Sequence, residues 1–117
     1  MRIPIQLAMA TLIATTASQV GAAGVETHEG LCSILAGNSL TVQNCRIEVS
    51  ANAFSATYVL VWPDGGKTTI RLSDEGDTVN EQPAREVPVP ADIEAGSECF
   101  ETEATRDIYC SKIAGTQ

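Results

Sequence analysis

Four cysteines constrain this chain more than any other feature. Cys32 and Cys45 make one close pair along the sequence and Cys99 and Cys110 another, within 117 residues. In an oxidising compartment an even set of thiols in a small chain is a disulfide framework. In a reducing compartment the same residues would be read as a metal or redox centre. The spacing argues against the second reading. Zinc ligands cluster as Cys-x₂₋₄-Cys and redox pairs as Cys-x-x-Cys, and neither pattern occurs.

The N-terminus decides the compartment. Met1-Arg2 is followed by an apolar run from Ile3 to Ala17 and then by Val20-Gly21-Ala22-Ala23. A positive start, a hydrophobic stretch and small residues before a cut are the parts of a secretory signal, with cleavage fitting after Ala22 or after Ala23. As an anchor the run is short for roughly 30 Å of hydrocarbon, and Pro4 and Gln6 interrupt it. Cys32 follows His28-Glu29-Gly30-Leu31, which is not a lipoprotein acceptor context. The expectation is a cleaved signal over 1–23 and one exported domain over 24–117, periplasmic or extracellular, with no membrane insertion after cleavage.

Taking off the signal sharpens the charge. The whole chain carries −8; the mature part loses Arg2, keeps all fifteen acidic residues and stands at −9. No surplus of Lys or Arg exists to neutralise phosphates, so a nucleic-acid partner is excluded. A domain this small has a marginal core, its aromatic bulk limited to Phe54, Tyr58, Trp62, Phe100 and Tyr109, and covalent staples are the usual remedy.

Sequence alone leaves three cysteine connectivities open, and turn geometry leans towards one. Setting Cys99 opposite Cys110 also sets Phe100 opposite Tyr109 and Glu101 opposite Ile108, with Glu103-Ala104-Thr105-Arg106 as a polar turn. Setting Cys32 opposite Cys45 centres a turn on Asn38-Ser39, just after Gly37. Loops of this size would each contribute about 3 kcal/mol in the chain-entropy account.

The middle of the chain reads as strands. Phe54 to Trp62 is rich in β-branched and aromatic residues, Pro63-Asp64-Gly65-Gly66 is a turn, and Lys67 to Leu72 is a second run. Phe54, Ala56, Tyr58, Leu60 and Trp62 would share one face, and Pro63 ends the strand because it has no N–H to donate. Upstream, Cys45, Ile47 and Val49 alternate with Arg46 and Glu48, giving a meander of 44–50, 54–62 and 67–72. Thr78–Asn80 and Arg85–Val87 are expected as short edge strands around Gln82-Pro83. Pro88 to Gly96 is a proline-punctuated loop, and 97–102 with 107–112 is a closing hairpin. Residues 24–43 stay open between a helical turn and a strand. The fold class is mainly β: a small antiparallel meander of about five to seven short strands, stapled by two disulfides.

Chemistry-bearing motifs are sparse. His28 is the single histidine, beside Glu26 and Glu29, without a nucleophile and an orienting partner to make it a base. Asp74, Glu75 and Asp77 form an acidic turn that is a weak calcium candidate, lacking the Asp-x-Asp-x-Asp-Gly order and the distal Glu of an EF-hand. No cofactor is expected, no catalytic residue is assigned, and the chain is not expected to be an enzyme.

A small, stapled, acidic β-domain suits a cationic partner, because opposite potentials steer encounter. Ser55-Ala56-Thr57-Tyr58, followed by Trp62 and Lys67, is similar to the Ser-Gly-x-x-Tyr and Trp-x-Lys loops of small periplasmic C-type lysozyme inhibitors. The likeness spans residues 55–67, with Ala56 in place of the glycine and a hairpin turn inserted before Lys67. It implies Ser55, Tyr58, Trp62 and Lys67 as binding residues; on their own terms Tyr58 and Trp62 read as core. The expected function is a non-catalytic binding or inhibitory module for a cationic protein or peptide. The alternatives are a passive envelope component, a lysozyme-inhibitor-like protein and a small hydrolase.

Overall fold

In a computed structural model, which describes residues 24–115, the run of strands closes on itself. Eight antiparallel strands follow one another around a barrel: β1 (Glu26–Ala36), β2 (Ser39–Ala51), β3 (Ser55–Val61), β4 (Lys67–Ser73), β5 (Asp77–Val79), β6 (Gln82–Val87), β7 (Glu98–Thr102) and β8 (Ile108–Ile113). Each strand pairs with the one before it, and β8 returns to β1 from Gly30↔Ile113 to Leu35↔Ile108. The antiparallel meander class expected from sequence is what forms, with eight strands in place of five to seven. Closure removes most of the exposed edges that an open meander would leave. The expected signal segment, 1–23, lies outside the described residues.

The alternation of side chains sets the interior. Ile47, Leu60, Ile70, Val79 and Phe100 are buried from five different strands and meet in one cluster. An eight-stranded barrel is just wide enough for such side chains to fill it. Gly30 sits in the same phase, and the lack of a side chain lets β1 approach both Ile47 and the backbone of Lys112.

The two disulfides are Cys32–Cys45 and Cys99–Cys110, and no described cysteine is free. They lie on opposite sides of the barrel wall. Cys32 and Cys45 belong to the interior cluster, whereas Cys99 and Cys110 pack outside against Ile93, Leu35, Val87 and Ile108. Ile93 comes from the loop 88–97, so that proline-rich segment roofs a second, external core. Two closed disulfides suit an oxidising compartment.

Several sequence expectations need correction. The β1–β2 turn falls at Gly37-Asn38, not Asn38-Ser39, because Ala36 pairs with Ser39; Cys32 therefore faces Gln43 and its bond to Cys45 runs diagonally. Gly37 at φ 63° gives this two-residue connection the hand that matches strand twist. Cys99 faces Cys110 directly, with Phe100↔Tyr109 and Glu101↔Ile108 as expected. In the segment left open, 24–43, the chain is strand over Glu26–Ala36 and again from Ser39, on either side of the Gly37-Asn38 turn. The β5–β6 turn falls at Asn80-Glu81, both at positive φ, and these strands are paired on both sides and are not edges. Phe54 is not part of β3 and does not face the core; it is 78% exposed.

Candidate functional site

The residues singled out from sequence do not gather on one surface. Ser55 lies at the barrel end where β3 begins, in a shallow depression with Ser50, Asn52 and Thr57. Tyr58 is half-buried between its neighbours Val49 and Ile70 and packs on the interior cluster. Burial, and then the Glu98 carboxylate, raise its phenol above the usual value. Trp62 is buried, with its indole N–H donated to Thr68 Oγ1 at 3.0 Å. Lys67 is exposed at the opposite end from Ser55, on the rim of a groove that Trp62 also lines.

The acidic turn of Asp74, Glu75 and Asp77 is closed by its own backbone. Ser73 Oγ donates to the Gly76 carbonyl at 3.1 Å and accepts from Glu75 N–H at 3.3 Å. Its carboxylates do not converge, and no group of metal-capable residues exists among the described residues, so the calcium candidate is not assembled. Among the described residues the His28 side chain reaches Glu26, at 3.2 Å.

Topology does bring other residues together. In an up-and-down barrel alternate turns lie at one end, and the β2–β3, β4–β5 and β6–β7 connections share theirs with the start of β1. That end carries Asp74, Glu75 and Asp77, then Glu86 and Glu98 where β6 ends and β7 begins, Asp92 and Glu94 in the loop between, and Glu26. The outer wall towards this end carries Arg71, Arg85 and Lys112; Arg85 pairs with Glu101 at 3.0 Å, and Lys112 is held by the Ala95 carbonyl at 2.8 Å and Glu94 at 3.6 Å. The opposite end is mixed, with Lys67 and Arg106 among its acids, and Arg106 pairs with Glu101.

Phe54 stands on the acidic end. The pairing Ser55↔Ser73 sets its turn beside the acidic β4–β5 turn. Asn52 Oδ1 accepts from the N–H groups of Phe54 at 2.7 Å and Ser55 at 2.9 Å, so the backbone is braced while the ring stays in solvent. An Asn two residues before an aromatic is the sequence signal that could have placed Phe54 in a turn.

A second feature was not anticipated. β3 pairs with β2 only from Arg46 to Ala51, so among the described residues Ser39–Asn44 is bonded to β1 on one side alone. Pro63 and the turn closed by Trp62 N–H to the Gly66 carbonyl, 2.8 Å, reverse the chain before β3 can reach further. All six residues are exposed. Beside them runs a groove of about 320 Å³, floored by Ile34 and Trp62 and walled by Gln43, Asp64 and Lys67.

Compared with known protein families, with curated proteins and with solved structures, the chain shows no significant match.

Proposed function

We propose that this chain is an exported, non-catalytic binding module whose acidic barrel end engages a cationic protein or peptide in the periplasm or outside the cell. One observation carries the reading: Phe54, 78% exposed on a braced turn, stands beside the acidic turns of one end. An aromatic face among carboxylates is suited to lysine and arginine side chains, by cation–π contact at the centre and charge attraction around it. At that end Ile93 packs on the Cys99–Cys110 bridge and anchors the 88–97 loop, so little order is lost there on binding. The outer wall carries Arg46, Glu48, Arg71, Arg85 and Glu101, the reverse of the apolar band a lipid-facing barrel needs. That polarity favours a soluble partner over a bilayer.

The test is retention of a basic lysozyme and of a poly-arginine peptide on the immobilised chain, from low to high salt. Capture at low salt that falls as charges are screened, and that drops roughly tenfold in Phe54→Ala and again in Asp74→Asn/Glu75→Gln, supports the reading. Absence of capture at low salt, or capture indifferent to both variants, overturns it in favour of a passive envelope component.

A further inference from the structure

We infer that the open side of β2, Ser39–Asn44, is a self-association edge at which a second copy of this chain adds its own β2 antiparallel, joining two barrels through a continuous sheet. Along this segment alternate residues turn both N–H and C=O away from β1 to the side that no strand occupies among the described residues. It is extended, lacks proline and is exposed at each of its residues. Protected edges carry charges, prolines or bulges; this one reads Ser-Leu-Thr-Val-Gln-Asn and has none.

The uncharged edge permits a second copy as occupant, and its sequence selects one. The mature chain is at −9 and repels itself over most of its surface, but Ser39–Asn44 contains no ionisable group. The sequence is also self-complementary about a two-fold axis. With Thr41 on the axis, Leu40 of one copy faces Val42 of the second copy, and the reverse, while Ser39 faces Gln43. Leu40 and Val42 are 40% and 46% exposed in the single chain and stand on the outer face, so the pairing covers both twice. Facing apolar and threonine pairs are the stabilising unit of such a ladder. The register also fits the space: the Gly37-Asn38 tip of the second copy falls where the ladder of β3 begins, beside the groove bounded by Asp64 and Lys67. The interface is isologous and closes at two copies.

Sedimentation equilibrium of the disulfide-bonded chain over a range of concentration and salt tests this. The expected result is a mass that doubles with concentration and a dimer that tightens as salt rises, since the copies repel elsewhere. This sign is opposite to the cationic-partner reading, so either can fail without the other. Leu40→Lys/Val42→Lys places like charges across the axis and is expected to return the monomer. Amide hydrogen exchange, which needs no variant, is expected to slow at alternate positions of 39–44 as concentration rises. A monomer at every concentration, a dimer unaffected by the lysine pair, or protection of 39–44 only when a different protein is added would each overturn the proposal.

Discussion

Trp62 and Thr68 close the β3–β4 hairpin from inside, the indole N–H donating to Thr68 Oγ1 at 3.0 Å with both residues buried. The bond explains how the largest side chain of the chain can sit in a small core: its one polar atom is satisfied where the strands are joined. Thr68→Val keeps the shape and removes the acceptor, leaving a buried N–H without a partner. A loss of about 1–3 kcal/mol is expected, read as a fall in the urea midpoint at constant slope. In a Trp62→Phe background the same change should cost far less, because no N–H is left to orphan. A double-mutant cycle showing no coupling between the two positions would refute this account.

Gly30 is a point of close approach between β1 and β8. A Cβ built there lies 2.5 Å from Ile47 Cδ1 and 2.5 Å from the Lys112 carbonyl oxygen. The side-chain clash can be eased by rotation; the backbone clash requires the β1–β8 seam to open. Gly30→Ala is therefore expected to destabilise by about 1–3 kcal/mol, in the range of overpacked cores. Ile47→Val deletes only the first obstacle, so it should relieve part of that loss and never all of it. Thermal melting of the two single variants and the double one decides the point.

These contacts mark what the sequence could and could not convey. In the β2–β3–β4 meander, β2 and β4 were legible because each keeps exposed residues alternating with buried ones, and β3 because its β-branched and aromatic run stops at Pro63. β1 was not, because Cys32 faces the interior while Ser33 and Leu35 lie under or against the external core, so burial on both faces blurs the alternation. Closure was illegible for a related reason: β1 to β8 pairing joins residues at opposite ends of the chain, and no local pattern reports it. Phe54 was misplaced because its apolarity continues the run of β3, while Asn52 binds its N–H and turns it out of the strand. The lean to Cys99–Cys110 rested on a register that forms directly; that to Cys32–Cys45 chose the right partners through a register two residues off. The acidic end was beyond reach from composition alone, since only the order of strands decides which turns share an end.

The disulfides should differ in how they yield to reductant. All four sulfurs are buried, with Cys45 the most exposed at 6%. Thiolate attack therefore needs an opening motion in either case. For Cys99–Cys110 that motion is the lifting of Ile93 and its loop, a local event; for Cys32–Cys45 the barrel itself must open. Under native conditions dithiothreitol should reduce Cys99–Cys110 first, and Ile93→Ala should accelerate that step without changing the inner bond. Alkylation and mass spectrometry of the trapped thiols give the order. Removing either bridge by paired alanines should cost about 3 kcal/mol for the lost constraint, plus a cavity term in both cases because all four residues are buried.

Tyr58 and Tyr109 both have phenols held above the ordinary 10.0, chiefly by burial and secondarily by a nearby carboxylate, Glu98 for Tyr58 and Asp107 for Tyr109. The sign follows from which state holds the proton more tightly. Below the unfolded value both states are neutral, and the stability these groups contribute is fully present. As pH rises through 10 the unfolded chain releases its protons first, and the contribution is lost progressively through the higher folded values. Denaturant midpoints should therefore fall with pH from about 10 upwards, in step with the phenolate absorbance of the unfolded chain. Tyr58→Phe/Tyr109→Phe should flatten that part of the profile. Glu98→Gln should bring the Tyr58 titration down while leaving Tyr109 where it is, and Asp107→Asn should do the converse. Because burial is the larger cause in both, neither carboxamide should restore the ordinary value in full. A native-state titration in which both phenols ionise at the ordinary value would show that the barrel interior is wetter at these two positions than their packing against Val49, Ile70 and the neighbouring core implies.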